Sequence, residues 1–132
     1  MVKEVGTGII VRNGKIFIGQ RPEGKPLAGL WEFPGGKLEA GETIEQCLKR
    51  ELKEELDVDS EIGEHIMDTV YRYEELDTEF KLNVFFVHIA DNAAIKLKVH
   101  QNSAWVSAAE MDKYTFPPAD VAIIKKLKEI GL

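Results

Sequence analysis

The sequence predicts an α/β protein, an α/β/α sandwich around a mixed β-sheet, and two observations carry that prediction. Apolar periodicity changes along the chain in the order strands, helix, strands, helix. No internal repeat and no low-complexity linker interrupts that order, so residues 1–132 are expected to form a single domain with one continuous interior.

The elements follow in chain order. Ile9 to Val11 and Lys15 to Gln20 are β-rich runs joined by Asn13-Gly14, a dipeptide that accepts positive φ at both turn centres, so a hairpin is expected. Arg21 to Glu42 carries three prolines (Pro22, Pro26, Pro34) and five glycines and is expected to be an ordered loop without regular structure. Loops of that size usually carry function. Thr43 to Leu56 has no Gly or Pro and places Ile44, Leu48, Leu52 and Leu56 four apart, which predicts a helix. Glu64 to Glu74 and Glu79 to Ala90 read as strands, and Ala104 to Ser107 as one more short strand. Pro117 and Pro118 then introduce a last helix whose expected apolar stripe is Val121, Ile124, Leu127 and Ile130.

Charge and cysteine content narrow the function classes. A net charge of -6 opposes attraction to a nucleic-acid polymer or an anionic membrane, so neither is expected as a partner. An anionic small substrate would need a bridging cation. Cys47 is alone, so no intramolecular disulfide is expected; with no secretory leader or membrane-length apolar run, a cytoplasmic location is expected. A monomer or a homodimer is expected.

The strongest chemical signal is GKLEAGETIEQCLKRELKEELDV, from Gly36 to Val58. At about 100° per helical residue, Glu51, Glu54 and Glu55 fall in one sector beside the Leu48, Leu52 and Leu56 stripe. Charge-rich helices are ordinarily solvated faces, but three carboxylates converging beside a buried stripe require a cation or raised pKa values. Hard oxygen ligands suit Mg²⁺, with Mn²⁺ as a substitute. Arg50, next to the cluster, can orient one carboxylate by a bidentate contact.

These positions resemble the Nudix box, at Gly36, Glu42, Arg50, Glu51, Leu52, Glu54, Glu55 and Val58. Asp57 departs from the box, standing where its glycine usually follows the helix; Asp tolerates a left-handed backbone better than most residues. Around the box, Gly29-Leu30-Trp31-Glu32-Phe33-Pro34-Gly35-Gly36 and Phe116-Pro117-Pro118-Ala119-Asp120 are similar to segments of the MutT-like group. The resemblance implies the Nudix fold and magnesium-dependent cleavage of a small-molecule nucleoside triphosphate to the monophosphate and pyrophosphate, by attack at the β-phosphorus. It also implies that Glu51, Glu54, Glu55 and the Gly35 carbonyl hold the ions. Glu54, then Glu51, is the implied proton acceptor, with Arg50 in support, and Arg21, Glu32, Phe33, Pro34, Gly35 and Asp120 are the implied substrate contacts.

Two further positions matter. Many Nudix members carry a loop glutamate where Val99 stands, which puts a loop-borne ligand or base in doubt; His100 follows, and a loop histidine is more often solvent-exposed than chemical. Asp120 replaces an asparagine that faces the base in the MutT pattern. An ionised aspartate only accepts hydrogen bonds, so it would select donors, either the N1–H and 2-amino group of an oxidised guanine or the amino group of cytosine. Otherwise Asp120 only caps the last helix. Phe33 or Trp31 is the candidate to stack on the base.

The expected function is therefore removal of an oxidised or modified nucleotide such as 8-oxo-dGTP, with a cytosine or 5-methylcytosine nucleotide as the alternative. A catalytically silent, nucleotide-sensing Nudix-like module is the alternative from another class, and the retained helix carboxylates count against it. ADP-ribose hydrolases usually carry a proline shortly beyond the box, and none lies between Pro34 and Pro117.

Overall fold

The structure is a computed structural model that describes residues 2–132. Its elements are β1 (Val2–Arg12), β2 (Lys15–Gln20), β3 (Trp31–Glu32), β4 (Gly35–Lys37), α1 (Ile44–Leu56), β5 (Glu61–Tyr73), β6 (Thr78–His88), β7 (Asn102–Val106) and α2 (Val121–Ile130). Short 3-10 turns cover Glu74–Leu76, Ala109–Lys113 and Pro118–Asp120.

β1 organises the sheet. It runs parallel to β6 from Val2↔Glu79 to Ile10↔Val87, and that one parallel ladder makes an otherwise antiparallel sheet mixed. β5 flanks β6, while β2 turns back from β1 and pairs with β3 and β7. The expected hairpin forms through Asn13 and Gly14, both at positive φ.

Successive side chains of a strand point to opposite faces, and the two helices exploit this. Ile10 and Phe17 face α1, where Leu48, Leu52 and Leu56 are fully buried among Val58 and Val87. Ile9, Ile16 and Ile18 face the other way and pack with Leu82, Val84, Met111, Ile123 and Leu127. The sandwich is therefore the expected one, with a separate apolar layer on each face of the sheet.

Several local expectations change. The Arg21–Glu42 segment is not wholly irregular: β4 pairs with β1 at Thr7↔Gly35, Gly6↔Gly36 and Val5↔Lys37. The approach is close enough that a Cβ on Gly35, which sits at φ +151°, would lie 1.9 Å from the Gly6 carbonyl oxygen. The buried stripe of α2 is only partly the one expected. Leu127 is buried and Ile124 packs against the core as expected, but Val121 and Ile130 are exposed and Ile123, four before Leu127, is buried in their place; true helical spacing wins over an every-third-residue reading. β1 and β5 also begin well before their expected starts.

Candidate active site

Thr43 begins α1 with a reciprocal capping box: its Oγ1 accepts from the Gln46 N–H at 3.1 Å, and Gln46 Oε1 accepts from the Thr43 N–H at 2.9 Å. Such a cap is worth about 1 kcal/mol. At the other end Asp57 takes the left-handed conformation, φ 55° and ψ 42°, and its N–H bonds the Lys53 carbonyl. The aspartate thus performs the glycine's terminating role. Lys53, Lys96 and Lys98 lie 3.6 to 3.8 Å from its carboxylate. With Lys98 the largest influence, they hold Asp57 below its ordinary pKa.

Between those caps, Arg50 fixes the acidic face. Its Nε donates to Glu42 Oε2 at 2.6 Å and its Nη2 to Glu42 Oε1 at 3.0 Å, a bidentate grip that pulls the Glu42 pKa down to about 2. Nη1 reaches Glu51 Oε1 at 2.8 Å and Glu54 Oε2 at 3.3 Å, and Nη2 also reaches the Lys37 carbonyl. Hydrogen bonding to Glu42 also raises the guanidinium's own pKa. Arg50 is therefore a clamp across loop, strand and helix.

The expected convergence of three carboxylates is met only in part. Glu55 is buried beside the Glu51 carboxylate. Two carboxylates this close favour a proton on one of them. Accordingly the Glu55 pKa is pushed up to about 9, first by burial, then by Glu51 and by the charge of Glu32. Glu54 instead lies out beside Arg50 with its side chain more than half exposed. Among the described residues, no three of His, Cys, Asp and Glu come close enough together to hold an ion. Charge repulsion, relieved for Glu54 by Arg50, accounts for the separation.

The residues nevertheless fit a hard divalent cation. Glu55 Oε1 is buried with no hydrogen-bond partner, an orphan acceptor that a cation would satisfy. Glu51 lies where Gly36 has no side chain; a Cβ there would be 2.3 Å from Glu51 Cδ.

A cavity of about 590 Å³ extends away from this pair. Gly35, Gly36, Glu55, Arg21, Glu32, Phe33 and Asp120 line it, with Val99, Tyr73 and Leu76 also on its walls. Arg21 Nη1 donates to Glu32 Oε1 at 2.9 Å, and its Nε to the Pro26 carbonyl at 2.7 Å. Phe33 is buried against Phe116 at 5.5 Å between ring centroids.

Asp120 is almost fully buried and stands at the N-cap of α2, but its side chain makes no capping hydrogen bond, so the alternative role keeps only its charge at the helix start. Burial first, then the charge of Glu32, raises its pKa to about 7.

Some expectations are corrected here. Trp31 packs edge-on to Tyr114 at 4.8 Å and does not line the cavity, which leaves Phe33, of the two candidates, on its wall beside Tyr73 and Phe80. Pro34 is also off the wall, and its carbonyl accepts from the Gly8 N–H at 2.8 Å, a structural pin. His100 is buried, not exposed as a loop histidine usually is, with Nε2 2.8 Å from Glu32 Oε2. Leu76 and Tyr73 went unforeseen, because only the β5–β6 register swings their turn over the cavity and no local pattern announces that.

A family model described as "NUDIX domain" matches residues 6–126. The chain is 37% identical over 123 residues to the CTP pyrophosphohydrolase of Escherichia coli (strain K12), covering 92% of this chain and 88% of that protein. It is also 37% identical over 130 residues to the 8-oxo-dGTP diphosphatase of Haemophilus influenzae, covering 94% of this chain and 90% of that one. Among solved structures, the solution structure of the Escherichia coli ORF135 protein superposes with a TM-score of 0.83 at 34% identity, over 98% of this chain and 90% of its own.

Proposed function

This chain belongs to the NUDIX domain family, and from that premise we propose that it cleaves a nucleoside triphosphate to the monophosphate and pyrophosphate, most readily one with an oxidised or otherwise modified base. The observation that carries the reading is one cavity lined both by Glu55, the buried carboxylate beside Glu51, and by Asp120, a second buried acceptor. It is a Nudix hydrolase, as its family and the two relatives at 37% identity indicate.

The geometry supports the following residue roles. Glu51, Glu55 and the Gly35 carbonyl would hold Mg²⁺, with Glu54 joining them or accepting the proton of the attacking water. Bound there, the ion supplies neutralisation of the phosphates and acidification of water. Arg50 holds Glu51 and Glu54 within reach of one another. Arg21, on the cavity wall, contacts the substrate, while Phe33 packs against the base. Asp120 accepts hydrogen bonds from the base's donors.

A specific observation favours a second substrate. The acceptor-only chemistry of an ionised Asp120 suits the cytosine amino group as well as the N1–H and 2-amino edge of oxidised guanine, and the relatives above are named for one base each. A panel of oxidised, methylated and ordinary nucleoside triphosphates, compared by kcat/KM for Mg²⁺-dependent pyrophosphate release, decides between them. No release from any member would overturn the hydrolase reading in favour of a silent, nucleotide-sensing module.

A further inference from the structure

His100 is the least expected residue in the structure. Its imidazole is wholly buried, and Gly19 of β2 is the reason it fits: a Cβ at Gly19 would lie 2.7 Å from the ring carbons. The chain therefore leaves out a side chain in the middle of a strand to seat a histidine. Glycine inside a strand weakens it, so the omission has a cost.

The seated ring has one polar partner. Nε2 meets Glu32 Oε2 at 2.8 Å, and because a carboxylate only accepts, Nε2 is the donor. Arg21 takes the other oxygen, Oε1, at 2.9 Å. Glu32 is thus gripped from the cavity side by Arg21 and from the interior by His100. The charge so fixed acts on both ends of the cavity, since it influences Glu55 and Asp120 alike. The bonds around His100 are also firm: the Gln101 N–H donates to the Gln20 carbonyl at 2.9 Å, and Gln101 Nε2 to the Arg21 carbonyl at 3.1 Å.

We propose that His100 is a positioning residue for substrate selection: seated on Gly19, it fixes the Glu32 carboxylate, and through it Arg21, at the cavity wall. It touches no substrate itself. A buried donor to a carboxylate that also engages a cavity arginine is the arrangement by which a supporting residue orients a binding group. The kinetic consequence rests on the hydrolase reading above; the contact itself does not.

The test uses the full chain in four forms: His100→Leu, His100→Gln, Glu32→Gln and the double variant Glu32→Gln/His100→Leu. Glutamine keeps a donor near the position of Nε2, whereas leucine keeps only bulk. We expect His100→Leu to lower kcat/KM for the best nucleotide about tenfold and to narrow the spread across the panel, with His100→Gln within about threefold of the parent. In the Glu32→Gln background, His100→Leu should change kcat/KM by less than about twofold, because the charged acceptor it shares with Arg21 is already gone. Equal losses in both backgrounds, or equal losses in the leucine and glutamine variants across every nucleotide, would overturn the proposal. The ¹⁵N resonances of the His100 ring give a readout independent of turnover. They should shift in Glu32→Gln relative to the parent, and unchanged resonances would refute the contact even if no nucleotide is hydrolysed.

Discussion

Glu55 and Asp120 line the same cavity, both are nearly buried and both hold protons more tightly than an ordinary carboxyl, yet they do so for different reasons. Glu55 is crowded: the Glu51 carboxylate lies against it, and Arg50 grips Glu51. Asp120 is solitary, raised by burial and by the charge of Glu32. Crowding produces a site that a multiply charged cation relieves, and solitude produces one that a neutral donor relieves. The two parts of the cavity are thus suited to the two chemically different parts of a nucleotide.

The largest expected effect breaks the crowded end. Glu55→Gln or Glu54→Gln should reduce kcat at saturating Mg²⁺ by at least about a hundredfold while leaving the thermal midpoint near that of the parent, because neither change removes an apolar contact. Near-normal turnover in either variant would show that the cation is held elsewhere.

The solitary end should respond less and more selectively. Asp120→Asn is expected to lower kcat/KM for the best nucleotide about ten- to a hundredfold and to flatten the preference among guanine, cytosine and uracil triphosphates. It should leave the thermal midpoint unchanged or raised at pH 8, where the parent buries an ionised group. Even losses across the panel, together with a lower midpoint, would return Asp120 to a purely structural role.

Protonation sharpens the same contrast. With its pKa raised from 3.8 to about 7, Asp120 in the folded protein keeps its proton at pH values where the unfolded chain has lost it. Its contribution to stability is therefore full below about pH 4 and is lost as pH rises through about 7. For a donor-presenting base, kcat/KM should climb through that same pH as the carboxylate becomes acceptor-only, and Asp120→Asn should erase the step. A profile for the asparagine variant that keeps the step would assign the titration to another group.

The smallest expected effect concerns the wall between the two ends. Val99→Glu places a carboxylate where many Nudix members have one, and activity should stay within about tenfold of the parent. A rise of several hundredfold would mean that the natural chain is catalytically impaired.

Local chemistry was legible in the sequence and long-range registration was not. Thr43 to Leu56 announced its helix by composition and spacing, Asn13-Gly14 its turn, and Asp57 its left-handed cap, because each depends on neighbours within a few residues. The carboxylates of α1 were found for the same reason. The rotation of Glu54 onto Arg50 was not, since a spacing argument places Cβ atoms and says nothing of where a long side chain finds its partner. His100 escaped for the opposite reason: its burial depends on β2 and β7 lying side by side, with Gly19 meeting a residue far along the chain. The Leu76 wall belongs to that second class.

The single parallel ladder between β1 and β6 also governs the timing of assembly. β1 is made before β6, its parallel partner, which follows only after α1 and β5, a wait of several seconds at about 5–20 residues per second. During that interval Ile9-Ile10-Val11 is a β-prone apolar run with an open edge, the kind of segment that pairs with other chains. Asp120, which follows β6 in the chain, arrives later still. The nascent chain therefore spends its most aggregation-prone seconds before its nucleotide cavity exists, when no ligand can rescue it by mass action.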